Sequence, residues 1–190
     1  MKKLSLIIIF LLTFQNISLA DTISEYEEAG LKLGKSILEI MTMDKIIESI
    51  VQKEGEKYVT VEYVPDTSIY PSLDFDYYLI TFDMRNEDLK IISFTAMEYF
   101  PDDFEGCMKK QDEYMKINTK LFNLKPVDYG VAPHPNPSIV GKWRAVIFDH
   151  SPPKETSSIL CYHNENDPES NDFKMGILNR EFANHISVKQ

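Results

Sequence analysis

The sequence contains few of the residues that build metal and redox centres. It has two cysteines and four histidines in 190 residues. The spacing of Cys107 and Cys161 fits neither a C-x-x-C redox motif nor a zinc knuckle. No two histidines lie at the short spacings that converge on one ion. We therefore expect no metal site and no cofactor.

The sequence also has fewer basic residues than acidic ones. Lysine and arginine number 20 against 30 aspartates and glutamates, which gives a formal net charge of −10. A field of this sign repels phosphate backbones and anionic lipids, so the composition disfavours binding to nucleic acid or to a membrane surface. The acidity indicates solubility, and the alternative is a cationic partner or a bound cation.

Long apolar runs are absent after the start of the chain. Residues 4–14 are apolar, but this run is shorter than the roughly 20 residues that cross a bilayer. Lys2 and Lys3 precede the run, and a small-residue cleavage site ending at Ala20 follows it. This order is typical of a cleavable signal peptide over residues 1–20, with an uncleaved membrane anchor as the alternative. Asp21 stands where a lipoprotein needs a cysteine, so we expect no lipid anchor.

The mature chain, residues 21–190, has the length of a single domain. The signal peptide indicates a location in the periplasm or outside the cell, with no stable membrane insertion after cleavage. Two thiols in an oxidising compartment usually pair, because nothing there keeps them reduced. We therefore predict a disulfide between Cys107 and Cys161.

The mature chain begins with a helical pattern. Ser24 and Glu27 fit a capping box, and apolar residues then recur at helical spacing as far as about Gly55. One straight helix of this length is long for so small a domain, so we expect a break near residues 42–44. A second helix is predicted over residues 101–122, with Cys107 on its apolar stripe.

Strand patterns fill most of the remaining chain. Six runs are predicted as strands, over residues 58–64, 75–84, 89–97, 142–149, 157–163 and 173–177. A weak helical pattern starts at about Asn179. Residues 126–141 contain four prolines and are predicted as an extended loop.

The two strands after the proline-rich loop form a predicted hairpin. If position 150 faces position 157, Cys161 lies opposite Val146 and Ile159 lies opposite Phe148. This apolar face would dock on the helix that carries Cys107. The fold class is therefore α+β: an N-terminal helical region and a second helix packed on an antiparallel sheet of about five to six strands, with one disulfide.

Catalytic motifs are sparse. Ser157 and Ser158 lie across the predicted turn from Asp149 and His150, so a serine, histidine and carboxylate cluster can be drawn there. No G-x-S-x-G motif accompanies it. The acidic stretch 164–169 offers oxygen ligands for calcium, but it lacks the glycine-centred loop, and we expect a solvated loop instead.

Aromatic and proline-rich segments suit recognition better than chemistry. Tyr63, Tyr70, Tyr77 and Tyr78 lie on or beside strands whose outward face needs a second cover. The stretch around His134 is stiffened by prolines, which lowers the entropy lost on docking. These five residues are the candidate contact surface, and scaffolding is the alternative role for each of them.

These features favour a non-catalytic extracytoplasmic binding or accessory protein whose partner is a protein or a small molecule. We expect a monomer or a small oligomer and, on balance, no enzymatic activity. A small extracytoplasmic hydrolase is the alternative function, followed by a subunit of a cell-envelope assembly.

The signal peptide generates the first testable prediction. Intact-mass analysis of natively exported protein should give the mass of residues 21–190 less two hydrogen atoms, because cleavage and oxidation both precede isolation. Two free thiols, or Met1 still attached, would contradict the predicted export and disulfide.

Overall fold

The centre of the protein is one eight-stranded antiparallel sheet. The structure, a computed structural model, describes residues 23–55, 57–71, 74–149 and 155–187, so the expected signal peptide lies outside the described residues. The strands are β1 (Ile50–Glu54), β2 (Tyr58–Tyr63), β3 (Tyr77–Asp83), β4 (Ile91–Tyr99), β5 (Val127–Pro133), β6 (Gly141–Asp149), β7 (Thr156–Asn164) and β8 (Asp172–Leu178). Their order across the sheet is β1-β2-β3-β4-β8-β7-β6-β5. Two four-stranded meanders therefore join where β4 pairs with β8.

In the described residues three helices accompany the sheet: α1 (Met43–Glu48), α2 (Phe104–Phe122) and α3 (Arg180–Ser187). The α+β class and the antiparallel sheet are confirmed. The expected strand number is wrong, since there are eight strands rather than five or six. Among the described residues, no helix has both the length and the apolar character needed to cross a bilayer.

The two additional strands, β1 and β5, lie at opposite edges of the sheet. The predicted loop over 126–141 is wrong for β5, which pairs with β6 along one side only. An edge strand tolerates proline because one of its sides needs no ladder hydrogen bonds. A bulge between Asp128 and Val131 contains Gly130 at a φ of +67°, and this irregularity hides the period-two pattern.

The prediction of an N-terminal helical region is also wrong for most of its length. Residues 23–48 contain two 3-10 turns and the short α1, which Thr42 caps, and the rest is irregular. Gly30 and Gly34 adopt φ values of +79° and +78°, which interrupt a helix. The Gly34 amide donates to the Ile91 carbonyl, so backbone pairing with the sheet replaces the helical bonds. The side chain of Ser24 in the predicted capping box lies outside the described part of the structure.

One sheet face is covered by α2 and the N-terminal segment. Buried aromatic and aliphatic side chains from six strands meet these elements there, including Phe94, Met175 and Ile159. The fully buried Gln111 amide on α2 donates to the carbonyls of Arg144 and Ile159 at 3.0 and 2.8 Å. These bonds tie the helix to β6 and β7 within the core.

The disulfide joins this helix to the sheet. Cys107 on α2 is bonded to Cys161 on β7, as predicted, and both residues are fully buried. The bond closes a sequence separation of 54 residues. In the chain-entropy account, a loop of this size contributes about 4 kcal/mol to stability.

The β6–β7 register differs from the predicted one by two residues. Cys161 lies opposite Arg144 rather than Val146, and Ile159 lies opposite Val146 rather than Phe148. Because side chains alternate with period two, an even shift keeps each residue on its predicted face. The apolar face therefore still meets α2. Residues 150–154, which connect β6 to β7 in the sequence, lie outside the described residues.

The opposite sheet face, here called the open face, is covered at one end only. There α3 packs Phe182 and His185 against Tyr58, at ring separations of 5.2 and 4.9 Å. Ile92 belongs to the same small cluster. At the other end, side chains such as Tyr99 are about half exposed, at 49%.

The disulfide gives a stability prediction. Replacing Cys107 and Cys161 together with alanine should lower the free energy of unfolding by about 4 kcal/mol in urea titrations of the mature protein. Wild-type protein unfolded in reductant is the matched control and should resemble the variant. Equal stability of the variant and the oxidised wild type would show that the cross-link contributes nothing.

Candidate functional site

Four aromatic side chains form a row on the uncovered end of the open face. We call Trp143, Tyr162, Tyr99 and Tyr77 the aromatic row. Trp143 lies opposite Tyr162, Tyr162 opposite Asp172, and Asp172 opposite Tyr99 in successive strand pairs. Residues that lie opposite one another share a sheet face, so β6, β7, β8 and β4 present these side chains together.

Tyr77 extends the row onto β3. It lies opposite Met97, two positions before Tyr99 on the same face. The Tyr77 and Tyr99 rings are 5.6 Å apart, and the Tyr99 hydroxyl donates to the Tyr77 hydroxyl at 3.3 Å. Burial and this hydrogen bond raise the pKa of Tyr77, so its hydroxyl stays protonated. The row crosses five strands, a span of about 19 Å at about 4.8 Å per strand.

The β6 end of the row is an aromatic stack. The Trp143 and Tyr162 rings are 5.9 Å apart and nearly parallel, at 17°. The ring of His134, in the loop after β5, lies 5.5 Å from the Tyr162 ring. The Asn136 amide donates to His134 Nδ1 at 3.1 Å, which fixes the ring orientation. The proline-rich loop therefore places the His134 ring next to the aromatic row.

A carboxylate and an ammonium lie at the centre of the row. The Asp172 side chain is 10% exposed, and its Oδ2 is 3.1 Å from Lys174 Nζ. Its Oδ1 is buried and accepts no hydrogen bond from any part of the chain that the structure describes. Lys174 Nζ also lies 4.8 Å from the centre of the Tyr162 ring, in cation–π geometry.

Burial raises the pKa of Asp172 above its usual value, and the Lys174 ammonium and the nearby His134 ring only partly oppose this shift. A carboxylate held there destabilises the folded state relative to a neutral side chain. Perturbed titratable groups of this kind concentrate at functional sites, although structural ion pairs also produce them.

A shallow pocket adjoins this ion pair. Its volume is about 390 Å³, and Asp172, Lys174, Tyr162 and His134 line it together with neighbouring loop residues. Lys174 is the one lysine or arginine among the described residues that line it. The pocket therefore connects the His134 loop to the middle of the aromatic row.

The structure separates the predicted contact residues. Tyr77 and His134 reach the open face, as described above. Tyr78 is fully buried in the core, so its proposed place on a contact surface is wrong. Its backbone position alternates with that of Tyr77, and alternate strand residues face opposite sides.

Tyr63 and Tyr70 lie on the other side of the sheet. The Tyr63 ring is 6.4 Å from the buried Tyr78 ring. The Tyr70 hydroxyl lies 2.7 Å from the position that a Cβ would occupy on Gly30, so it packs closely on the N-terminal segment. These two tyrosines therefore do not join the aromatic row.

Trp143, Tyr162, Tyr99, Asp172 and Lys174 are the site residues that sequence reasoning missed. Trp143 and Tyr162 could have been found, because they alternate with positions already assigned to the helix-covered face. No pattern in the sequence indicated that Tyr99 and Asp172 belong to the site. Their proximity depends on the pairing of β4 with β8, which are far apart in sequence.

The alternative serine cluster is not assembled as predicted. Asp149 lies opposite Thr156, and Ser157 lies opposite Phe148 on the helix-covered face. The Ser157 side chain is fully buried, which leaves it inaccessible to a substrate. His150 lies outside the described residues. Within those residues, no group of three or more His, Cys, Asp or Glu side chains is placed to hold a metal ion.

Comparisons with known proteins return no match to any protein family, curated protein or solved structure. The function is therefore argued from the chemistry of the open face.

The Asp172 environment gives a pH-dependent stability prediction. Asp172→Asn should raise the free energy of unfolding at pH 7 by on the order of 1 kcal/mol, because it removes a buried charge whose folded-state pKa is raised. The gain should be largest above that folded-state pKa. It should vanish as the pH falls towards about 3.9, the ordinary aspartate value, in urea titrations at several pH values.

Asp128→Asn is the matched control with the opposite sign. Two hydrogen bonds from Arg144 hold the pKa of Asp128 below its usual range, so this carboxylate stabilises the fold above about pH 3.9. Its replacement should therefore destabilise the protein at pH 7, with the difference lost as the pH falls. Destabilisation at pH 7 by both variants would show that the Asp172 carboxylate is not costly.

Proposed function

We propose that this protein is a non-catalytic binding protein of the periplasm or the extracellular space, and that the aromatic row on the open face is its contact surface. The observation that carries the proposal is the alignment of Trp143, Tyr162, Tyr99 and Tyr77 across five strands, at the sheet end that α3 leaves uncovered.

Export is supported by two features of different kinds. The signal-peptide pattern of residues 1–20 lies at the start of the chain. The buried bond between Cys107 and Cys161 belongs to the type of cross-link that persists in oxidising compartments. An acidic protein with this cross-link suits a location beyond the cytoplasm.

The composition of the open face supports binding. Tyrosine and tryptophan are favoured at interfaces, because each buries a large apolar area and keeps one polar atom for a hydrogen bond. Tyr77 and Tyr99 present paired hydroxyls, and the partly exposed Leu160 flanks Lys174 on the neighbouring strand. The open face therefore offers a partner an apolar surface with the Asp172–Lys174 ion pair at its centre.

The arrangement supports contact rather than turnover. The polar atoms at the row are phenol hydroxyls, one ion pair and an imidazole, and they include no nucleophile held beside a base. Asp172 and Lys174 neutralise each other, which suits a group that orients a bound partner.

Row-dependent capture tests the proposal. The mature protein, immobilised through its C terminus, should retain a partner from an extract of its own cell envelope. The double variant Tyr99→Ala and Tyr162→Ala should lose that partner, because it removes two ring contacts. Tyr129→Ala is the matched control, since Tyr129 is 64% exposed but lies on the edge strand β5, outside the row. Mass spectrometry would compare the three captured sets.

Two outcomes would contradict the proposal. A partner retained equally by all three proteins would place contact elsewhere on the surface. Turnover of an ester, peptide or glycan substrate by the purified protein would support the hydrolase alternative.

A further inference from the structure

We propose that the aromatic row binds a lysine- or arginine-rich segment of another polypeptide in extended form, with one cationic side chain of that segment seated at Asp172. This inference rests on the proposed function and specifies the chemistry of the partner.

The first argument is charge complementarity. Glu62 and Asp172 lie close enough to Tyr77 for their charges to contribute to its raised pKa. At the same end of the sheet, Asp76 accepts the Tyr99 backbone amide through Oδ2 at 3.0 Å. The loop between β7 and β8, which borders the pocket, adds three exposed acidic residues, namely Glu165, Asp167 and Glu169. Lys174 is the one lysine or arginine lining that pocket among the described residues, and it is already paired with Asp172.

The second argument is the unsatisfied carboxylate oxygen. A buried polar atom without a partner destabilises the fold, and the cost is greater when the atom belongs to a charged group. Asp172 Oδ1 has no hydrogen-bond donor in the described residues, while Asp172 lines the pocket. A cationic donor entering from the pocket would satisfy this oxygen after a small side-chain adjustment.

The third argument is the position of Lys174. Its ammonium lies beside Asp172 Oδ2 and over the Tyr162 ring, so the row already holds one cation in the geometry that a ligand cation would adopt. Lys174 therefore acts as an internal competitor. A ligand lysine or arginine would share or displace this ammonium, with Tyr162 and Asp172 as its binding groups.

The dimensions of the row suit an extended peptide. A span of about 19 Å corresponds to about six residues at 3.3 Å per residue. In an extended chain alternate side chains point to the same side, so a segment with a cationic residue at every second position would direct them all at the row.

Other occupants fit less well. An anionic ligand would meet the acidic surroundings at a Coulomb cost. A neutral sugar stacks on an open ring face, whereas Trp143 and Tyr162 stack on each other and His134 and Lys174 also lie against Tyr162. Tyr99 is half exposed, and its ring lies 5.6 Å from the Tyr77 ring.

The single tryptophan of the chain, Trp143, is a built-in reporter of the row. The mature protein would be titrated with a blocked hexapeptide of alternating lysine and alanine, and Trp143 fluorescence would be followed at about pH 8, well above the ordinary aspartate pKa. The glutamate–alanine hexapeptide and a neutral hexasaccharide serve as the other probes. We expect saturable binding of the lysine peptide alone.

Two lysine variants of equal charge separate a site from general attraction. Lys174→Met should tighten binding of the lysine peptide by about fivefold, because it removes the competing ammonium. Lys142→Met should leave the affinity unchanged, since Lys142 lies over Phe104 on the helix-covered side. Asp172→Asn should weaken binding by about fivefold or more, because the cationic side chain loses its carboxylate.

Three outcomes would overturn the inference. Equal affinity of all variants would indicate diffuse attraction to an acidic protein, and binding of the glutamate peptide or the sugar alone would assign the row to another chemistry. No response to any probe would also reject a cationic peptide ligand. None of these results decides the proposed function, because row-dependent capture of a native partner is measured separately.

Discussion

The pairing of β4 with β8 is the constraint on which the rest of this structure depends. Seven residue pairs, from Ser93 with Leu178 to Tyr99 with Asp172, join two meanders that would otherwise be separate four-stranded sheets. On one face this junction brings Phe94 beside Ile177 under the N-terminal segment and α2. On the other face it places Tyr99 beside Asp172 and thereby completes the aromatic row. The same ladder therefore builds both the core and the candidate site.

The two faces of the sheet differ in the side chains that they carry. The helix-covered face contains the disulfide, the fully buried aromatic side chains and the Gln111 bonds that hold α2 in place. The open face carries the buried Asp172 carboxylate, and one of its oxygens has no hydrogen-bond partner among the described residues. If packing alone mattered, a neutral residue would be more stable at this position. A costly group on an uncovered aromatic surface is better explained by a bound partner than by the fold. The acidic surroundings then favour a cationic partner.

Sequence reasoning recovered the interior strands and missed both edges. β2, β3 and β4 are interior strands with buried alternate positions, and their period-two pattern predicted them. β1 and β5 pair on one side and remain largely exposed, so they lack that pattern. The prediction for the N-terminal segment was wrong for another reason. Its apolar residues recur at helical spacing, but most of them lie in 3-10 turns and irregular chain and pack into the core from there. Helical spacing of apolar residues does not exclude a non-helical conformation, because backbone pairing with the sheet can replace the hydrogen bonds of a helix.

Residue patterns along the chain were enough to predict the class of the fold, the disulfide between Cys107 and Cys161, and the helix and strand that carry these cysteines. These features depend on local periodicity and on the number of thiols, both of which are visible in one sequence. The folded sheet was needed to show that Tyr77 faces outward while Tyr78 is buried, and that Trp143, Tyr162, Asp172 and Tyr99 form one line. The reason is physical: a site composed across strands is specified by long-range register, and register is settled by the packing of the whole sheet.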